Sequence, residues 1–477
     1  MKTVAIIGGG VIGGGWAARF LLNGINVNIC DPDPEAERKI NEVLDNARRS
    51  LPALLDYSVP TEGELRFCQS IEDAVGKAEW IQESVPERLE IKHAVFVEIQ
   101  KHARKDALIG SSTSGFKPSE LQEGASSPNQ IFVAHPFNPV YLLPLIELVG
   151  NSGTCARAKH ALEKIGMKPL VVRQEIDAHI ADRFLEAVWR EALWLIKDGV
   201  ATTEDIDDAI RFGFGLRWAQ MGLFETYRVA GGEAGMKHFI AQFGPALKWP
   251  WTKLMDVPEL TDYLVEKIAN QSDEQSGKHS IRELERIRDD NLVTILRGLK
   301  ARNYGAGETL VAQEERTRPD LPTDVSKPIR TLDRVIPIDW TDYNGHMNES
   351  RYGQVFSDAG DVIMAMIGAD ADYIASGLSY FTVENLIQFR NETHPGEKIV
   401  VFTQVLQAEG KKLRMYHEMS RAKEGGTPGD LLCTCNQLLV HVSLETRRSC
   451  EPGGKMAAKM KALHEAQTRL PKPESMR

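Results

Sequence analysis

His135 ends the apolar run Ile131-Phe-Val-Ala, and Glu147 lies in the next strand-like run, Leu145-Ile-Glu-Leu-Val149. A histidine at a strand end is more often structural than chemical. Set beside a carboxylate and facing a nicotinamide, it has what alcohol oxidation requires. The imidazole takes the hydroxyl proton as hydride leaves, while the carboxylate orients the ring and stabilises the imidazolium. A second candidate acid, Asp342, lies in Ile338-Asp-Trp-Thr-Asp-Tyr-Asn-Gly-His-Met-Asn-Glu-Ser-Arg-Tyr352, just before an apolar helix. Its Asp-Tyr-Asn-Gly composition also suits a plain turn.

The elements that must position the first pair begin at the amino terminus. Gly8-Gly-Gly-Val-Ile-Gly13 follows a β-branched run, Val4–Ile7, and precedes a helix. In a G-x-G-x-x-G turn, Gly8 allows the tight turn, Gly10 lets backbone approach a pyrophosphate, and Gly13 lets helix and strand pack. The amino end of the helix, Val11-Ile12-Gly13, offers free N–H groups to phosphates. Asp31 closes the second strand, Asn26–Cys30, at the spacing where a carboxylate accepts ribose hydroxyls. That acid would repel a 2′-phosphate, so NAD is favoured over NADP as cofactor. Further strands are predicted at Trp80–Glu83, Ala107–Gly110 and Ile131–Ala134, with helical stretches such as Arg88–Ala103 between most of them. The alternation predicts a parallel sheet covered by helices, over residues 1–176.

Residues 177–305 read as helix, with a capped start at Thr202/Thr203. Five of the eight tryptophans fall here: Trp189, Trp194, Trp218, Trp249 and Trp251. Trp189 and Trp194 are expected to be core. The stretch 212–228, with Phe214, Arg217 and Trp218, is a candidate substrate pocket. Aromatic faces attract quaternary ammonium groups and arginine pairs with carboxylates. The polar residues 306–328 read as a linker. Residues 329–450 turn strand-like, with runs at Val335–Ile338, Leu386–Phe389, Ile399–Val405, Leu413–Met419 and Leu431–Val442. One apolar helix, Arg351–Ile367, precedes the last four, giving an α+β domain. Residues 451–477 form a basic tail, expected to be solvated. The net charge of −10 argues against a nucleic-acid partner. No apolar run reaches the roughly 20 residues of a membrane span. Six scattered cysteines form neither a disulfide framework nor a zinc site, so no metal is expected and a cytoplasmic location is.

Residues 1–300 resemble the 3-hydroxyacyl-CoA dehydrogenase family through GGGVIGGG, Asp31, SVPERLEIK, SSTSG and HPFNPV with Glu147. The resemblance implies a Rossmann domain followed by an all-α domain. It implies that His135 and Glu147 form the catalytic pair, that Ser114 and Asn138 hold the substrate oxygen and pocket, and that Glu87 and Lys92 contact the cofactor. The chain departs from the family at Asp182-Arg183, where asparagine precedes the arginine, and at Glu175–His179, where DxPGF is usual. An acid at 182 disfavours a neutral acyl chain and accommodates a cation. Within the family, residues 177–236 resemble the L-carnitine dehydrogenases, which makes L-carnitine the expected substrate. DYNGHMN with Tyr352 resembles hot-dog fold thioesterases, in which Asp342 would be the catalytic acid, accompanied by His346 and by Asn348 as helix cap. The thioester implied by this pairing is betainyl-CoA. The rival readings are a 3-hydroxyacyl-CoA dehydrogenase with a fused acyl-CoA thioesterase, and a non-catalytic hot-dog assembly module. A homodimer is implied by both families.

Overall fold

The computed structural model describes residues 1–230, 235–245, 252–253, 259 and 261–476. Trp249 and Trp251 lie outside the described residues. By its contacts the chain forms two compact units. One is Met1–Arg48 with Pro60–Gln313, and the other is Arg49–Val59 with Glu314–Arg477.

The first unit is built on an eight-stranded sheet. Its strands are β1 (Thr3–Ile7), β2 (Asn26–Cys30), β3 (Leu65–Phe67), β4 (Trp80–Glu83), β5 (Leu108–Ser111), β6 (Ile131–Pro136), β7 (Leu145–Val149) and β8 (Lys168–Val171). The order is β3-β2-β1-β4-β5-β6-β7-β8, and β1 to β6 are all parallel. Helices cover the sheet, so β4, β5 and β6 are buried throughout; each opens on apolar residues, Trp80-Ile81, Leu108-Ile109 and Ile131–Ala134, and places its polar ones at the carboxyl end. The chain reverses direction across the sheet between β1 and β4, and doubly wound folds bind ligands at that switch point, outside the carboxyl ends of the strands. This is a Rossmann-type domain.

The all-parallel expectation fails at one place. β7 runs antiparallel to β6, because the eight residues between Pro136 and Leu145 are too few for a crossover helix. That reversal matters for the chemistry below.

After β8 the first unit is helical. Ala181–Lys197, Thr203–Ala209, Gly215–Ala230, Gly235–Phe243, Asp262–Ser276 and Ile281–Ala301 are its main helices. Thr202 caps the second of these, accepting from the Asp205 N–H in a capping box. Trp189 is not core: it is 60% exposed on the helix Ala181–Lys197. Trp194 is half-buried, with the ammonium groups of Lys197 and Lys253 4.4 and 4.1 Å from its ring.

In the second unit β9 (Ile329–Val335), β10 (Leu378–Phe389), β11 (Lys398–Glu409), β12 (Lys412–Ala422) and β13 (Pro428–Ser443) form an antiparallel sheet in the order β10-β13-β12-β11-β9. Strand β9 ends at Val335, so the run expected to continue to Ile338 turns away into a short 3-10 helix, Ile338–Trp340. The helix Glu349–Ile367 lays Val355, Phe356 and Ala359 onto Ile399, Val401, Met419, Leu432, Cys433 and Cys435. It stops at Gly368, whose φ of +91° only glycine adopts cheaply. A sheet wrapped on one long helix is the hot-dog architecture.

Two segments differ from expectation. Residues read as linker form the helix Ala306–Thr317, with Leu310 buried. The tail forms the helix Gly454–Gln467, whose Met456, Met460 and Leu463 join Ile363, Val405, Leu413 and Met415 in a core cluster. Apolar residues at i, i+4 and i+7 share one helix face, so the charges between them do not keep the tail in solvent.

Candidate active sites

In the first site the antiparallel register sets His135 directly opposite Glu147. The imidazole Nδ1 donates to Glu147 Oε2 at 3.0 Å, since the buried carboxylate can only accept. The other oxygen, Oε1, accepts from the Ile180 and Ala181 N–H groups at 2.9 and 3.0 Å. These lie at the amino end of the helix Ala181–Lys197, whose dipole favours an anion. Burial alone would raise the Glu147 pKa, but the bonds from His135, Ala181 and Ile180 outweigh it and hold the carboxyl below its ordinary range. The carboxyl of the pair is therefore ionised, and Nδ1 is committed to it, which leaves Nε2 as the ring's other nitrogen.

Asp182 Oδ2 lies 3.7 Å from that Nε2. Burial pushes the Asp182 carboxyl up, against the opposing pull of His135. The structure thus brings Asp182 to the pair. It also adds His179, which sequence reasoning missed. Its ring is fully buried, 5.7 Å centroid to centroid from that of His135. Neither ring nitrogen makes a close hydrogen bond, and a weak one with the Thr113 backbone opposes the effect of burial. Burial holds the His179 pKa low, so the ring is neutral. Ala178 and His179 both adopt left-handed backbone, φ +57° and +49°, a strain that clusters at functional sites. The departure from DxPGF was the available signal.

Ser114 and Asn138 are exposed, in the loops that leave the carboxyl ends of β5 and β6. Glu87 Oε1 gathers the Thr113 hydroxyl at 2.5 Å and the Ser114 and Gly115 N–H groups at 3.1 Å. Its other oxygen meets Lys92 Nζ at 3.1 Å. Lys92 is buried and also bonds Glu83 Oε1 at 2.9 Å. Burial pushes the Glu83 carboxyl up, and Lys92 and Ser111 oppose that.

The glycine turn fits a dinucleotide. A Cβ on Gly8 would meet the Ser84 carbonyl oxygen at 2.5 Å, and one on Gly13 would meet that of Gly8 at 1.9 Å. At Gly10 it would meet nothing within 4 Å, the open space a pyrophosphate needs. Gly10 precedes the helix Val11–Leu21 as an N-cap with no side-chain bond, so the first N–H groups, of Val11, Ile12 and Gly13, are free for phosphate oxygens. Val11 is 57% exposed at that opening. Asp31 Oδ2 accepts from the Gly9 N–H at 2.5 Å and Oδ1 from the Asp33 N–H at 2.7 Å. Both bonds fix the carboxylate beside the turn.

Phe214 and Trp218 form a tilted ring pair 4.6 Å apart, and Arg217 between them is exposed. Among the described residues, no hydrogen bond, ion pair or ring contact joins this stretch to His135 or Asp182.

The second site is a turn. The Asp342 N–H donates to the His346 carbonyl at 2.9 Å and the Gly345 N–H to the Asp342 carbonyl at 3.0 Å. Asp342 Oδ1 accepts from the Asn344 N–H at 2.8 Å. Asn348 caps the helix Glu349–Ile367, accepting from the Ser350 N–H and hydroxyl. Tyr352 is buried one turn on, its hydroxyl pushed up to about 12 by burial. Asp342 itself is half-buried.

Family models match along the chain. They are the NAD-binding domain of 3-hydroxyacyl-CoA dehydrogenase over residues 3–176, its C-terminal domain over 179–267, and the thioesterase-like superfamily over 336–460. An L-carnitine dehydrogenase/betainyl-CoA thioesterase of Ruegeria pomeroyi is 62% identical, covering 99% of this chain and 98% of that protein. The chain belongs to that family. Its dehydrogenase half also matches an L-carnitine dehydrogenase of Oceanobacillus iheyensis, at 51% identity over 62% of this chain and 97% of the relative. Among solved structures, the NAD+-dependent 5-formyl-3-hydroxy-2-methylpyridine 4-carboxylic acid 5-dehydrogenase is similar, with a TM-score of 0.53 and 28% identity. The similarity covers 63% of this chain and 99% of that one. The chain is an NAD-dependent dehydrogenase fused to a thioesterase.

Proposed function

We propose that this family member oxidises L-carnitine to 3-dehydrocarnitine at the His135 site and hydrolyses betainyl-CoA to glycine betaine and CoA at the Asp342 site. Asp182 beside the reactive imidazole carries the first half. L-carnitine places a trimethylammonium group one carbon from the carbinol. That cation gives Asp182 a partner other than His135 and frees Nε2 for the hydroxyl. His135 then takes the hydroxyl proton, and Glu147 stabilises the imidazolium. With NAD bound at Gly8, Gly10, Val11, Ile12, Gly13, Asp31, Glu87 and Lys92, the nicotinamide supplies the hydride acceptor. Ser114 and Asn138 hold the substrate oxygen, while Phe214, Arg217 and Trp218 complete the pocket for the cation and carboxylate.

In the second half Asp342 attacks the thioester carbonyl or activates water for that attack. The amino end of the helix Glu349–Ile367 polarises the carbonyl. The protein works as a cytoplasmic homodimer. In support, Phe184 and Trp189 stand 56% and 60% exposed on one helix, while Val383, Leu386 and Phe389 line the edge strand β10. All six cysteines are free, and no described helix is long and apolar enough to cross a membrane.

NADH formation from L-carnitine, D-carnitine and 3-hydroxybutyryl-CoA tests the first half, and thiol release from betainyl-CoA the second. Turnover of L-carnitine and of betainyl-CoA is the expected result. NADH from the CoA ester alone, or no thiol release, contradicts it.

A further inference from the structure

Two histidines and a glutamate converge where the Asp342 turn meets the loop before β11. His346 closes the turn, and its ring lies 4.8 Å from that of His394, close to perpendicular. His346 Nε2 is 3.5 Å from Glu392 Oε2. One potential ligand atom from each of His346, Glu392 and His394 lies within 4.8 Å of the other two. The backbone holds the two segments together without help from these side chains, through the Met347 N–H bond to the Thr393 carbonyl at 2.8 Å.

The hydrogen bonding also chooses a tautomer. His394 Nδ1 lies 3.3 Å from the Gly345 carbonyl oxygen. A carbonyl only accepts, so Nδ1 carries the proton and Nε2 keeps its lone pair. A backbone carbonyl on the second ring nitrogen is how metal-binding histidines are usually oriented. An exposed histidine–glutamate ion pair contributes little stability, and it gives no reason for a second imidazole turned onto the first.

We propose that His346, Glu392 and His394 bind a divalent transition-metal ion of the zinc class, with a fourth position left to water. Two imidazoles and one carboxylate suit zinc, cobalt or nickel; calcium and magnesium prefer all-oxygen sets. Bonds of about 2.0–2.2 Å require the donors to draw closer than they stand, and the exposed Glu392 side chain is free to rotate. An ion here would brace the turn that carries Asp342, because the Asp342 N–H bonds the carbonyl of the ligand His346. The sequence hides the set, since its two histidines are far apart along the chain and share no ligand spacing.

The test uses the full chain, stripped with chelator and titrated with Co²⁺ followed by visible absorption, then with Zn²⁺ by calorimetry. One equivalent per chain is expected. Glu392→Gln should weaken binding by about 10–100-fold, in the range that disturbing a metal site costs. His346→Ala and His394→Ala should each abolish the cobalt band, with the Tm of the metal-free chain and dehydrogenase turnover unchanged. The proposal is overturned if no saturable equivalent binds, or if the bound equivalent survives the three substitutions.

Discussion

The two candidate sites place a carboxylate in opposite ways. Glu147 is fully buried and positioned by strand register, with three donors on its two oxygens. Asp342 is half-buried and positioned by a turn, with one backbone donor on its side chain. A buried carboxylate that must stay ionised needs donors arranged around it, because desolvation penalises its charge. A turn carboxylate keeps water as a partner and needs only direction. The first site is thus bound to its sheet, whereas the second belongs to a loop held at both ends.

The comparison breaks most visibly at Glu147. Glu147→Gln should lower the rate of L-carnitine oxidation by about 10²–10⁴-fold, the span assigned to general-base assistance. Thiol release from betainyl-CoA should not change. The same carboxyl makes acid sensitivity differ. Its folded pKa is depressed, so its stabilisation is present above the ordinary glutamate range and is lost as pH falls through the folded value. A Tm series from neutral pH down to about 3, below the ordinary glutamate value of about 4.3, should fall less steeply for Glu147→Gln than for wild type.

Asp182→Asn tests the cation partner. It should raise KM for L-carnitine about tenfold, equivalent to about 1.4 kcal/mol, with KM for NAD unchanged. An unchanged carnitine KM would leave Asp182 without the role given to it. Asp31→Ala should narrow the preference for NAD over NADP by about tenfold, also about 1.4 kcal/mol, measured as the ratio of kcat/KM values. The smallest effect concerns His179. His179→Phe removes a buried imidazole whose nitrogens make no close hydrogen bond, a group whose burial costs about 1–3 kcal/mol. Differential scanning calorimetry should show Tm unchanged or raised by a few degrees while carnitine turnover falls. Lower Tm with full turnover would make His179 an ordinary core residue.

Much of this was legible in the sequence, for reasons that can be named. β1 and β6 were visible because buried parallel strands are nearly uninterrupted apolar runs, β2 through its β-branched Val27 and Ile29, and β4 through its apolar start Trp80-Ile81. β3 has only three residues, and β8 opens on Lys168-Pro169 and is largely exposed, so neither shows an apolar run. His135 and Glu147 were both found, but the antiparallel reversal that makes them cross-strand neighbours is a property of loop length, which composition does not display. The helix Gly454–Gln467 was hidden by counting charges, although Met456, Met460 and Leu463 already carried the helical period. Asp182 stood out as a departure from its family. His179, in the same departure, was passed over because a histidine in a helical approach has no periodic signature. The aromatic stretch with Phe214 and Trp218 was visible, but its distance from His135 depends on helix packing and cannot be read from spacing.

One paired assay bears most directly on two independent chemistries in one chain. His135→Ala and Asp342→Ala are each measured for NADH formation from L-carnitine and for thiol release from betainyl-CoA. The account predicts a crossed result: His135→Ala loses only the dehydrogenation, and Asp342→Ala loses only the hydrolysis. If either substitution abolishes both activities in protein that keeps the wild-type Tm, the two sites are not independent and the account is wrong.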